Sequence, residues 1–159
     1  MAKPEINVSI KYDTLTPLLS RLKKQSPDIS KKVLHKMGNA LKNWTVESFG
    51  NLSLRQTKWS NRRKYYKGRG YVVEPSNLTD VGNLKKSIKM ENPSSKKVEV
   101  TSNIIYAAAH QFGIPRKGLP ARPFFPFNAN GKIFKPAEEE IFKVGQTTLK
   151  SILKKTDKS

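Results

Sequence analysis

Few side chains in this sequence are equipped for bond-making chemistry. His35 and His110 are the only imidazoles, cysteine is absent, and 12 acidic residues stand against 31 lysines and arginines. A hydrolytic triad needs a nucleophile, an imidazole and an orienting acid held together. Ser102 and Glu99 lie near His110 along the chain, but nothing in their spacing places them around one reacting atom. The plainer expectation is that the His110 ring bonds backbone where a helix meets a proline-rich run. Two distant histidines without cysteine or a carboxylate cluster do not make a recognisable zinc site. Glu138, Glu139 and Glu140 are consecutive, so on a helix they point about 100° apart and do not converge on one ion; their place at a helix start suits the macrodipole instead. Gly68-Arg69-Gly70 lacks the preceding strand and following helix of a phosphate loop. The reading is a non-enzyme with no catalytic residue, no cofactor and no metal.

The charge is the stronger signal. A net charge of +19 attracts polyanions, whether nucleic acid, an acidic protein surface or anionic lipid. Within residues 51–77, Arg55, Lys58, Arg62, Arg63, Lys64, Lys67 and Arg69 occur with no acidic residue until Glu74, and Trp59, Tyr65, Tyr66 and Tyr71 are interleaved. Lysine and arginine neutralise phosphates and aromatic rings stack on bases, so this stretch is a candidate contact for DNA, RNA or an acidic partner. Gly68 and Gly70 argue against regular structure, and 51–77 reads as a long, flexible basic loop.

The elements that must position these groups follow from periodicity. At 159 residues the chain reads as one domain, 1–159, with a thin core given a hydrophobic fraction of 36%. No apolar run approaches the roughly 20 residues of a membrane span, and the N-terminus lacks the apolar region of a signal peptide. A membrane partner is not expected, and the absence of cysteine fits a reducing cytosol. Ile6, Val8, Ile10 and Tyr12 alternate as in a strand. Leu15, Leu18, Leu19 and Leu22 predict a short helix over Thr14–Lys24. Ser26 and Pro27 then open a long helix to about Phe49, with Ile29, Val33, Met37, Ala40, Leu41 and Trp44 on its buried face. Asp80 caps a short helix over Val81–Ser87 with Leu84 inward. Ser87–Glu91 and Lys97–Thr101 predict a hairpin, and a last helix starts near Pro136. The mixture predicts an α+β fold: a small antiparallel sheet against one long and several shorter helices, with the basic loop added.

Residues 104–127, IIYAAAHQFGIPRKGLPARPFFPF, are the centre of this plan. Tyr106–Phe112 predicts a helix stopped by Gly113 and Pro115. Pro120, Pro123 and Pro126 make the following run extended yet unsuited to a central strand. Phe124, Phe125 and Phe127 must bury their rings, either in this chain's core or against another subunit, and Arg122 is the one charge among them. The rigid prolines favour an interface, because a preordered segment loses less freedom on association.

Tyr106, Ala107, His110, Gln111 and Gly113, followed by Pro120, Ala121, Arg122, Pro123 and Phe124, resemble the "YA-x-x-HQ-x-G … PARPF" signature of the phage virion morphogenesis family, the tail-completion proteins of the phage Mu G type. Leu78, Asp80, Gly82, Leu84, Ser87 and Ile88 resemble its "L-x-D-T-G-x-L-x-x-S-I" segment, and Trp59 the tryptophan ahead of it. Together these span roughly residues 28–127, with Val81 in place of a threonine and Phe125-Pro126 in place of a leucine-glycine. The resemblance implies a structural protein of virion assembly, acting in tail completion or head–tail joining. It also implies a homo-oligomer, often a ring, whose partners are other phage tail or neck proteins. Its place would be the virion tail or neck, with the host cytoplasm as the site of assembly. Tyr106, His110, Gln111, Gly113, Pro120, Arg122, Pro123, Phe124 and Phe125 would form the motif core or interface. The rival reading is a basic nucleic-acid-binding protein that uses residues 55–71.

Overall fold

The computed structural model describes residues 6–9, 26–66, 70–74, 78, 82–91 and 93–156. The predicted helix over Thr14–Lys24, together with Lys67, Arg69, Asp80 and Val81, lies outside them. The fold is α+β. Three strands, β1 (Ile6–Ser9), β4 (Ile88–Glu91) and β5 (Glu99–Ser102), form an antiparallel sheet in the order β1-β5-β4. Val100 of the central strand pairs with Val8 on one side and Met90 on the other.

The long helix α1 spans Pro27–Glu47. Pro27 starts it where a missing N–H is harmless, and Asp28 in the first turn suits the positive end of the dipole. Ser26 is extended at φ −156° and its carbonyl accepts from Ile29 N at 3.2 Å, but its hydroxyl makes no capping bond, contrary to expectation. Val33, Met37 and Leu41 are buried along the predicted face, with Leu34, Gly38 and Thr45 beside them.

The C-terminal helix α4, Lys135–Thr156, buries Ala137, Ile141, Gly145 and Leu149, each one turn from the last. It lies against α1, which also packs on β4 and β5. Two glycines set these distances. A Cβ on Gly38 would fall 2.5 Å from Val98 Cγ2 and 2.8 Å from Met90 Sδ, and one on Gly145 would fall 2.8 Å from Met37 Sδ. Backbone therefore meets side chain directly at both the helix–sheet and helix–helix seams.

Two strands arise where a structureless loop was predicted. β2 (Arg62–Tyr66) and β3 (Gly70–Glu74) pair antiparallel as a separate two-stranded ribbon, with Tyr65 opposite Tyr71 and Tyr66 opposite Gly70. Tyrosine and valine favour strands, and glycines between two such runs mark a turn more often than they prevent pairing. The short helix α2 is Asn83–Lys86, preceded by Gly82 at φ 71° and burying Leu84 as predicted. A last short helix, α3, spans Ala107–Phe112.

Candidate functional site

The motif residues form a knot in which α3 and the proline-rich run satisfy each other. Gly113 ends α3 at φ 73° and ψ 173°, a conformation that side chains rarely adopt. A Cβ there would also lie 2.7 Å from Ala121 N and 2.9 Å from Leu119 O, so only glycine lets the returning chain pass. The loop closes through Ile114 N to Leu119 O at 2.8 Å and Leu119 N to Ile114 O at 3.2 Å. Arg122 N then donates to His110 O at 2.6 Å, which brings the run alongside the helix.

An extended segment with three prolines and no strand partner must find other bonds for its backbone. Gln111, 2% exposed, supplies most of them. Its Oε1 accepts from Phe124 N and Phe125 N, both at 3.0 Å, while its Nε2 donates to Phe127 O at 2.8 Å and Phe125 O at 3.3 Å. Trp59 Nε1 donates to Pro123 O at 3.0 Å. Ser48 Oγ lies 3.1 Å from Phe124 O and 2.8 Å from Thr45 O, and shares its one proton between them. Phe134 N donates to Pro126 O at 2.7 Å, and Phe127 N to Phe125 O at 2.8 Å. Every backbone N–H and C=O from Phe124 to Phe127 is thereby partnered.

With the backbone satisfied, the rings can be buried. Phe124 and Phe125 are each 1% exposed, 4.9 Å apart, and Phe124 stacks at a tilt on Phe49 at 5.5 Å. Of the two places the sequence left open for these rings, Phe124 and Phe125 take this chain's own core and not the favoured interface. Arg122 is 5% exposed, with Nε donating to Ser60 O at 3.2 Å and Nη2 reaching Asn61 O at 3.5 Å. The surface around α3 keeps other apolar groups, with Ile105 72%, Tyr106 41% and Phe112 41% exposed.

Two members of the predicted basic contact also turn inward. Trp59 is buried against Phe49, edge to face at 5.8 Å. Arg55 lies over the Trp59 ring at 3.8 Å, and donates from Nε to Ser48 O at 2.7 Å and from Nη2 to Phe49 O at 2.8 Å. It therefore caps the carbonyl end of α1, as a cation is placed to do. Lys58 is exposed. Arg62, Arg63 and Lys64 occupy β2.

His110 stacks edge-on with Tyr106 at 5.8 Å, and its Nδ1 is shielded without a hydrogen-bond partner. The expected ring-to-backbone bond is not made at that nitrogen. Burial, and after it the charge of Arg122, push its pKa below the ordinary imidazole value. Ser102 is fully buried and donates to Ser87 Oγ at 2.7 Å, whose own proton goes to Leu84 O. It offers no nucleophile to an open cleft. Among the described residues no group of three or more His, Asp or Glu is placed to hold a metal ion, and no helix is long and apolar enough to cross a membrane. His35 lines a different feature, a cleft of about 560 Å³ between the start of α1 and the end of α4, with Lys31, Lys32, Lys36 and Ile152.

The sequence marked the knot by residue type but missed the task of Gln111. Its signal was a lone amide in an apolar helix beside a run whose prolines cannot join a sheet. A model of the phage virion morphogenesis family matches residues 10–150. No curated protein and no solved structure matches the chain.

Proposed function

The chain belongs to the phage virion morphogenesis family, and from that premise we propose that it is a structural, non-catalytic component. In this reading it completes the tail or joins head to tail through contacts with copies of itself and with other tail or neck proteins. The observation that carries this is the use made of the motif's polar groups. Gln111 and Arg122 are buried and directed at backbone carbonyls and amides of their own chain, so these two polar side chains of the motif shape a surface and are not presented on it. Ile105 and Tyr106 just ahead of α3 and Phe112 at its end are exposed apolar residues that this shape leaves for a neighbour.

Light scattering over a concentration series tests the reading. Copies bearing +19 repel one another, so self-association through an uncharged surface strengthens as salt screens the repulsion. Ile105→Asp shifts the association to higher concentration. A protein that stays monomeric at every concentration and salt, and binds no tail or neck protein of its phage, would sink the proposal.

A further inference from the structure

The backbone construction of the β2–β3 ribbon suits a partner of its own. The ribbon is a separate sheet, hydrogen-bonded to no strand of the three-stranded sheet. Three consecutive cations, Arg62, Arg63 and Lys64, lie in β2, and Glu74, paired with Arg62, is the one acid in residues 62–74. Successive strand positions alternate between faces, so positions 62 and 64 fall on one face of the ribbon and position 63 on the other. By the register, position 63 shares its face with Tyr65, Tyr71 and Val73, and positions 62 and 64 share theirs with Tyr66, Val72 and Glu74, so each face carries cations beside aromatic or β-branched residues. Such a ribbon can enter a groove walled by anions on both sides. The DNA major groove, about 12 Å wide and lined by phosphates, admits a two-stranded ribbon whose strands lie about 4.8 Å apart. An acidic protein surface would meet one face only.

The ribbon's root is stiff. Arg122 donates to the carbonyls of Ser60 and Asn61, the two residues directly ahead of β2, and Trp59 is bonded to Pro123. The proline-rich run therefore fixes the backbone directly ahead of β2.

We infer that the β2–β3 ribbon is an arm that binds double-stranded DNA by seating in its major groove, with Arg62, Arg63 and Lys64 on the phosphates and Arg122 and Trp59 as positioning residues. The inference does not depend on the assembly reading, and either can fail alone. The test is fluorescence anisotropy of a labelled duplex titrated with the full chain over a salt series. The triple variant Arg62→Gln, Arg63→Gln, Lys64→Gln is compared with Lys31→Gln, Lys32→Gln, Lys36→Gln, which removes equal charge from the exposed side of α1. Each phosphate contact contributes about 0.9 to the slope of log K against log salt. The ribbon variant should lower the slope by about 2.7, and with it lose about 40-fold of the affinity difference between 50 and 200 mM salt. The α1 variant should change the slope much less. Lys64→Gln alone should lower it by about 0.9, which keeps the test open if the triple variant folds poorly. Arg122→Lys keeps the net charge but cannot bridge both carbonyls, and should weaken DNA binding. Equal losses from ribbon and α1 variants would reduce the effect to the general field of the protein and overturn the inference. Displacement of the duplex by polyglutamate as readily as by unlabelled DNA would overturn it in favour of an acidic protein partner.

Discussion

Replacing Gln111 with methionine separates the hydrogen-bonding of the knot from its packing. The two side chains have similar length and volume, so Gln111→Met opens little space while removing both polar ends of the amide. Phe124 N, Phe125 N and Phe127 O each lose the partner that Gln111 provides; Phe125 O keeps the bond from Phe127 N at 2.8 Å. A buried backbone group left unsatisfied costs about 1–3 kcal/mol, so three such groups bracket a loss of about 3–9 kcal/mol. Relaxation of the surface loop and entry of water relieve part of this, which places the expected loss near 3–5 kcal/mol. Against a total stability of about 5–15 kcal/mol that is a large fraction. In a thermal melt it corresponds to a fall in Tm of about 6–20 °C for a domain of this size. Urea unfolding should show a lower midpoint at unchanged slope. A loss under about 1 kcal/mol would refute the claim that one amide holds the proline-rich run in place.

Two further outcomes follow from the packing and from the imidazole. Gly38→Ala should destabilise by about 1–3 kcal/mol, because its Cβ meets the stiff, branched Val98 at 2.5 Å; Gly145→Ala should be near neutral, since only the flexible side chain of Met37 stands in the way. Urea midpoints of the two variants check this, and the reverse ranking would contradict the packing account. His110 has a folded pKa below its ordinary value through burial and the Arg122 charge, so the unfolded chain takes up the proton first as pH falls. Stability associated with this group is complete above about pH 6.5 and declines below it. The difference in Tm between the wild-type chain and His110→Gln, measured at stepped pH, should narrow on acidification. A difference independent of pH would show that the ring is not held neutral by its surroundings.

Much of the architecture is written locally. Pro27 and the spacing of Val33, Met37 and Leu41 specify α1, the alternation of Val98 and Val100 specifies the inner strand of a hairpin, and the glutamates and lysines at its two ends mark α4. These signals depend on residues within a few turns of one another, so they are legible without knowing what the element packs against. Gly113 is legible for the same reason, since a helix stop is a local backbone event.

The fate of individual side chains depends on elements distant in sequence. Trp59 and Arg55 belong to a stretch whose composition reads as a solvated basic contact, yet both are drawn inward by Pro123, Ser48 and Phe49, an outcome that no local pattern carries. Gly38 and Gly145 read as weak helix positions until the sheet and the neighbouring helix arrive at contact distance. Chain order and residue type therefore determined the two long helices, the β4–β5 hairpin and the stop at Gly113, while the β2–β3 ribbon went unread. Only the tertiary structure decided which aromatic and cationic groups close the core and which remain for a partner, because burial is settled by the surfaces that meet and each surface is assembled from segments many residues apart.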